Sequence, residues 1–199
     1  MKFRCQFDYY PQPFGPEQYL REMLVEVVGL THAGEDALFA RLAIDHLDLG
    51  RAELSSERVY EICDADSAGW EQVYSALFEP GTEAEWRADF DFHEVVTHLA
   101  FMHRAVFHPC VREWQSFILD HVANLFGKDS AFLMWKGQTD LTDRQLSQLG
   151  YRIIAGEGLL MRPNMLPIDY EAECEGLNAL DIDVPEDSVG YVEEAWKEQ

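Results

Sequence analysis

Basic side chains are scarce in this chain of 199 residues, because 15 Lys and Arg stand against 37 Asp and Glu and the formal net charge is −22. Affinity for nucleic acid depends mainly on Lys and Arg that neutralise phosphates, so the composition argues against a nucleic-acid-binding role. Docking on an anionic membrane surface is disfavoured for the same reason. The acid excess leaves two interpretations open: simple solubility, or attraction to a basic protein partner.

Long apolar runs and closely spaced cysteines are also missing. No stretch of about 18 apolar residues is present that could form a membrane-spanning helix. Residues 1–10 lack the continuous apolar core of a secretory signal. The four cysteines, Cys5, Cys63, Cys110 and Cys174, are scattered and show no zinc-site spacing. The sequence therefore predicts a soluble, cytoplasmic protein with reduced thiols.

The acidic residues are concentrated near the C-terminus. Residues 163–199 hold eleven acidic side chains and one basic side chain, Lys197, together with three prolines. We therefore expect a single domain over residues 1–162 and an acidic C-terminal extension over residues 163–199. Such an extension is typically solvated, but apolar residues such as Tyr191 and Trp196 would let it dock on the domain or on a partner.

The hydrophobic pattern predicts a mixed α/β or α+β fold. Tyr19–Leu30 and Ala37–Leu49 are apolar runs around a polar turn, which favours an antiparallel hairpin. A helix over Glu17–Val28 is the alternative, because its apolar residues also fall at helical spacing. Val59–Cys63 is predicted as a short strand, and Gly69–Phe78 is predicted as a helix with N-cap residues before it.

The second half of the chain is predicted as strand, helix, strand, helix and hairpin, an order that contains a crossover unit. Val95–His108 is apolar on both alternating faces, which is typical of a central strand covered on both sides. The elements that follow are a helix over Arg112–Phe126, a strand over Ala131–Trp135, a short helix from Thr142 to Leu149, and a strand pair over Tyr151–Arg162.

This order of elements resembles the C-terminal half of the GNAT (Gcn5-related) N-acetyltransferase fold. His108–Pro109 resembles the family's junction between a hydrophobic strand and a basic loop, and Leu149–Arg152 (LGYR) resembles its late glycine turn. Leu47–Ala52 and Val59–Ser67 resemble a bacterial branch of the family. The resemblance covers residues 18–162 and implies a GNAT-like acyl-CoA N-acyltransferase fold, with a mixed central sheet flanked by helices.

The resemblance implies an N-acetyltransferase that moves an acyl group from acetyl-CoA to a small-molecule or protein amine. It implies that the strand edge at Val106 and His108 pairs with the pantetheine arm of the cofactor. It also implies that His103, on the central strand, or a bound water takes the proton of the amine, and a histidine suits that role at neutral pH. The other interpretation of His103 is a buried, hydrogen-bonded side chain beside Arg104. The family's proton-donating tyrosine matches Leu146 here, which leaves Tyr151 as the candidate donor.

The segment that matches the family's pyrophosphate loop carries larger side chains than the family does. In the family, small residues let backbone N–H groups and a helix end approach the phosphates. Here Gln115 and Phe117 obstruct that approach, and Glu113 repels phosphate. The alternative function is therefore a non-catalytic, acetyltransferase-like binding module that acts through its acidic surface. If the chain is an acetyltransferase, the resemblance implies that Arg112, Gln115 and the backbone amides of residues 113–117 hold the phosphates. The whole matching segment is Arg112, Glu113, Trp114, Gln115, Ser116 and Phe117.

Histidines recur at positions 93, 98, 103 and 108, a spacing that invites comparison with a metal site. On a regular strand His98 and His108 would share one face, about 33 Å apart, and His103 would lie on the other face. Histidines so far apart cannot ligate one ion together. No metal site is therefore expected from this series.

Overall fold

A seven-stranded sheet in the order β1-β2-β3-β4-β5-β7-β6 forms the centre of the protein. The computed structural model describes residues 1–7, 15–88, 90, 95–154, 158–164 and 184–198. The strands are β1 (Lys2–Phe7), β2 (Leu20–Leu30), β3 (Asp36–Asp48), β4 (His98–Phe107), β5 (Ser130–Trp135), β6 (Arg152–Ile153) and β7 (Leu159–Pro163). The α-helices are α1 (Leu49–Leu54), α2 (Val59–Asp66), α3 (Ala68–Leu77), α4 (Gln115–Asn124), α5 (Asp143–Gln148) and α6 (Ser188–Glu198).

The described sheet is mixed, and the expectation of a mixed sheet flanked by helices is confirmed at this level. β4 and β5 run parallel, whereas the other described strand pairs are antiparallel. The parallel pair needs a crossover, which is supplied by a 3-10 helix over Pro109–Trp114 and by α4. Within the described parts of the chain, no helix is both long enough and apolar enough to cross a membrane.

The predicted hairpin of β2 and β3 is confirmed, and the helical alternative for Glu17–Val28 is wrong. The two strands pair from Leu20 opposite Leu47 to Leu30 opposite Asp36. Paired in this way, the β-branched residues of β2 have both faces of a pleated sheet against which to pack.

The predicted strand at Val59–Cys63 is wrong, because this segment begins α2. Its buried side chains, Val59, Ile62 and Cys63, have helical spacing. The stretch is too short for the sequence alone to separate the two periods. The neighbouring prediction of a helix at Gly69–Phe78 is confirmed by α3, where the Ser67 hydroxyl accepts a hydrogen bond from the Trp70 amide.

The elements predicted for the second half are present with small changes of boundary. The long strand begins at His98 rather than Val95, and the helix predicted from Arg112 is in the 3-10 form up to Trp114. At the start of α5, Thr142 and Gln145 form a reciprocal capping box.

Two bulges change which side chains face each side of the sheet. In β3 the register with β2 skips Phe39, and in β4 the register with β3 skips His103, because Ala43 pairs with Arg104 and Ile44 pairs with Met102. A bulge adds one residue and so reverses the alternation beyond it.

One face of the sheet is covered by α4, and the opposite face by α1–α3 and α6. Ile44 and Met102 lie in the core cluster of the α4 face, whereas Leu47 and Phe101 pack with α1–α3. The acidic extension contributes α6, which carries the buried Val192 onto this second face against Leu38 and Val106. The second face is therefore covered at its two ends by different parts of the chain.

Candidate functional site

His103, the bulged residue of the central strand β4, lies where β4 separates from its parallel neighbour, β5. The pairing of β4 with β5 ends at Met102 opposite Met134, and His103 is the next residue. From this bulge the His103 ring reaches across two strands. Its Nε2 lies 3.6 Å from Asp45 Oδ1 of β3 and 3.9 Å from Glu22 Oε2 of β2. We call these three residues the His103 cluster.

Asp45 is the most buried member of the cluster, with 9% of its surface exposed. Its Oδ2 accepts a hydrogen bond of 3.0 Å from the Trp70 indole N–H of α3. Burial raises the pKa of Asp45 to about 6, against the opposing influence of His103 and of the indole hydrogen bond. Asp45 is therefore a carboxyl group that is held rigidly and that is poised to gain or lose a proton near neutral pH.

His103 has one ring nitrogen enclosed by the cluster. One third of its side chain is exposed, but Nε2 itself is buried and has no hydrogen-bond partner in the structure. The nearest polar atoms are the two carboxylate oxygens, which attract a cation to this point. The arrangement can accept a proton on Nε2 and stabilise the resulting imidazolium.

The cluster is open to solvent on the Glu22 side, where 65% of the carboxylate side chain is exposed. Aromatic rings border it on the sheet. The Phe101 ring lies 6.3 Å from the His103 ring, and the Trp135 ring meets Phe101 edge-on at 5.9 Å. The site thus combines an exposed carboxylate with an apolar floor.

The structure does not bring Tyr151, the other residue predicted to be catalytic, to His103. Tyr151 is 4% exposed and packs in the core on the α4 face, with its ring edge-on to Phe132 at 6.4 Å. Burial raises its pKa far above the usual value. Leu146, the position that matches the family's tyrosine, is buried in the same cluster.

Val106 and His108, the predicted contacts of a pantetheine arm, are covered by α6. The Val106 side chain is buried beside Val192. The His108 ring meets Tyr191 edge-on at 4.9 Å, and its Nδ1 accepts a hydrogen bond of 3.2 Å from the Cys110 amide.

The expectation that His98 and His108 share a face is wrong. The His98 ring stacks on His46 at 4.9 Å, and His46 in turn stacks on Phe126, just beyond α4. His108 instead contacts α6 on the opposite face. The bulge at His103 adds one residue between them and reverses the alternation. His93, the first histidine of the series, lies outside the described residues.

The predicted pyrophosphate segment is helical and is bound to a neighbouring loop. Arg112 Nε lies 3.2 Å from Asp140 Oδ2. Gln115 is buried and accepts a hydrogen bond of 2.8 Å from the Asp140 amide. The N–H groups of a 3-10 helix after its first turn donate to its own carbonyl groups. The segment therefore lacks an open cradle of backbone amides.

The remaining side chains of that segment either pack locally or are exposed to solvent. The Phe117 ring lies 3.9 Å from the His121 ring one turn later, and Trp114 packs against the α4-face core. Glu113 is exposed and Ser116 is half-buried. These residues do not fit the pyrophosphate of coenzyme A in the family's usual pose, because a carboxylate and several large side chains occupy the place of the small residues.

His103 was predicted as a candidate from the sequence, whereas the residues that surround it in the cluster were not. Glu22, Asp45 and Trp70 come from β2, β3 and α3, and no local spacing connects them. One signal was present: Asp45 is a charged residue inside the apolar run ALFARLAIDHLDL. A buried carboxyl group in such a run needs a partner, so it marks a candidate site.

A separate cleft of about 370 Å³ lies where His46, His98 and Phe126 meet, and Glu22 also contributes to its lining. Burial, together with the smaller effect of the neighbouring His98, lowers the pKa of His46 to about 4. His46 is therefore a neutral ring in the folded protein at neutral pH.

Comparison of the chain with protein-family models, curated proteins and solved structures finds no match.

Proposed function

We propose that this chain is a GNAT-like protein that binds an amine at the His103 cluster and passes a proton from that amine to His103. The observation that carries this proposal is the buried Nε2 of His103, which faces the carboxylates of Asp45 and Glu22. The order of elements in the second half, around a central strand, supports the likeness to acetyltransferases.

The cluster supplies the electrostatics for such a step. An aliphatic amine is an ammonium ion at neutral pH, and it becomes a nucleophile only after losing a proton. The exposed Glu22 carboxylate attracts the ammonium ion, and Nε2 of His103 accepts its proton. Asp45, held by Trp70, then stabilises the imidazolium ion.

The acyl donor implied by the resemblance is acetyl-CoA. Because residues Arg112–Phe117 do not fit its pyrophosphate in the usual pose, we assign no step of the proposed proton transfer to the cofactor. The proposal concerns the acceptor side of the reaction alone.

The test is an acetyl-transfer assay with acetyl-CoA and a panel of polyamines, aryl amines and lysine peptides. We expect the wild type to acetylate at least one amine, and His103→Gln to lower the rate about 10²–10⁴-fold, as for loss of a general base. His98→Gln is the matched control, because His98 lies on the same strand but faces the other side. Equal rates for wild type and His103→Gln would contradict the proposal, as would calorimetry showing no amine binding.

A second candidate, a non-catalytic binding module for a basic protein partner, is favoured by a specific observation. Arg112 and Gln115 are engaged by Asp140, and Glu113 adds a negative charge to an already acidic protein of net charge −22. On this proposal neither the wild type nor a Gln115→Gly, Phe117→Gly variant binds acetyl-CoA in a calorimetric titration. The wild type would instead bind a polylysine peptide with an affinity that falls as salt is added.

A further inference from the structure

We propose that the His103 cluster is a binding site for a divalent cation of the zinc class, held by His103 Nε2, Asp45 Oδ1 and a carboxylate oxygen of Glu22. This inference goes beyond the proposed function and does not depend on it. It rests on the geometry of the three ligand atoms and on the unpartnered nitrogen.

The ligand atoms have nearly the spacing that a tetrahedral ion requires. All three lie within 4.8 Å of one another. With zinc–ligand bonds of about 2.0–2.2 Å, neighbouring ligands of a tetrahedral ion are about 3.3–3.6 Å apart. The distance from His103 to Asp45 is 3.6 Å, and the distance from His103 to Glu22 is 3.9 Å. The adjustment to tetrahedral spacing falls mainly on the Glu22 side chain, which is the more distant ligand from His103 and is 65% exposed.

The orientation of the His103 ring indicates that a cation belongs at this point. Nε2 is buried without a hydrogen-bond partner. In a neutral ring an unprotonated Nε2 would direct its lone pair at two carboxylates, which is unfavourable. A positive charge between the three groups, either a proton on Nε2 or a metal ion, removes that repulsion.

The set of ligands selects among metal ions. One imidazole and two carboxylates leave a fourth position open, as in zinc sites that bind a water or a substrate. Calcium and magnesium prefer all-oxygen sites with more ligands, so a site that contains histidine disfavours them. The Trp70 indole donates to the other oxygen of Asp45, which fixes the orientation of this carboxylate.

His98 shows why a histidine between two carboxylates is not sufficient to form a metal site. Its Nδ1 lies 3.8 Å from Asp48 and its Nε2 lies 3.7 Å from Asp129. The two carboxylates therefore flank different nitrogens of the ring, and they cannot meet at one ion. At His103 both carboxylates face the same nitrogen. His98→Gln is thus a control that removes a histidine of similar surroundings without removing the proposed site.

Metal and proton compete for the same lone pair of His103. The bound ion would therefore inhibit any reaction in which Nε2 accepts a proton. Zinc binding can be measured whether or not the protein is an enzyme, so the two proposals can fail separately.

The experiment is a calorimetric titration of chelator-treated protein with zinc chloride, repeated with cobalt(II) while the visible absorption is recorded. A Cys5→Ser background removes an exposed thiol that could add a ligand. We expect one equivalent of zinc to bind, four-coordinate cobalt bands, and a zinc-dependent rise in the thermal midpoint. Single His103→Gln and Asp45→Asn variants should bind at least tenfold more weakly, and His98→Gln should bind as the wild type does.

Three results would overturn the metal site: absence of zinc binding by the wild type, equal binding by His103→Gln, or loss of binding in His98→Gln. Circular dichroism of each variant shows whether it is folded, and the less disruptive Glu22→Gln variant repeats the test at the exposed ligand. If wild type binds zinc but acetylates no amine, the proposed function fails and the metal site stands. If His103→Gln abolishes amine acetylation and no zinc binds to the wild type, only the metal site fails.

Discussion

Replacing His46 with phenylalanine should make the protein more resistant to acid. The His46 ring stacks between His98 at 4.9 Å and Phe126 at 5.6 Å, and burial lowers its pKa from 6.5 to about 4. A phenyl ring preserves the stacking and cannot take up a proton. The substitution therefore isolates the cost of placing a charge at this position.

The sign and the size of the expected change in unfolding free energy follow from the linkage between protonation and folding. The unfolded chain binds a proton on His46 near pH 6.5, whereas the folded chain binds it only near pH 4. The stabilisation that the neutral ring provides is thus complete above pH 6.5, the pKa of His46 in the unfolded chain. It is lost as the pH falls toward about 4, the pKa of His46 in the folded chain. Between about pH 7 and pH 5 the wild type should lose about 2 kcal/mol of unfolding free energy through this group.

Urea unfolding of the wild type and of His46→Phe at about pH 7, 6 and 5 measures this effect. We expect the stability of the variant relative to the wild type to rise by about 2 kcal/mol over that range. His32→Phe, on the exposed turn between β2 and β3, is the matched control and should leave the pH dependence unchanged. A constant difference between His46→Phe and the wild type at every pH would refute the reasoning.

Three further substitutions test the packing around the sheet by urea unfolding. Arg162→Met should lower the free energy of unfolding by about 3–5 kcal/mol, because it leaves the Asp120 carboxylate without its ion-pair partner. Arg162 Nη1 lies 2.7 Å from Asp120 Oδ1, and the two side chains are only 7% and 16% exposed. Adding Asp120→Leu should recover most of that loss, and no recovery would contradict the explanation. Trp70→Phe should lower the free energy of unfolding by about 1.5–3 kcal/mol, because the hydrogen bond to Asp45 is lost. A smaller loss would show that this hydrogen bond contributes little to stability. Gly34→Ala should cost about 1–2 kcal/mol, because Gly34 has a φ of +78° and no atom lies near its missing Cβ; an unchanged midpoint would contradict this.

Local patterns predicted the elements that depend on periodicity and turn chemistry. The hairpin of β2 and β3 and the order of elements in the second half follow from apolar alternation and from N-cap residues. Both kinds of pattern are local, so these elements could be predicted from the sequence alone. The short segment from Val59 could not be assigned in the same way, because its apolar residues suit either period and its packing against α3 decided the outcome. β1 was missed because its six residues form an edge strand that is defined by pairing with β2.

The candidate site was predictable only in part. His103 could be singled out as the histidine of a central strand, and its face follows from regular alternation, but the bulge that reverses the residues after it has no local signal. Its carboxylate partners lie on two other strands and become neighbours only in the paired sheet. The side of the sheet on which Tyr151 lies could not be predicted either, because it depends on how the turn between α5 and β6 packs beneath α4.

The bulge at His103 also makes the histidine separable from the docking of α6. Deleting His103 would restore regular pairing between β3 and β4, with Met102 still opposite Ile44 and Arg104 still opposite Ala43, so Arg104 and Val106 would keep their present face. Trp196 of α6 lies 4.1 Å from the Arg104 guanidinium, and this contact would survive the deletion. A single codon lost in this strand would therefore remove the histidine and leave the residues that contact the C-terminal helix in place. Homologues that lack a residue at the bulge should accordingly be able to retain α6 at this position.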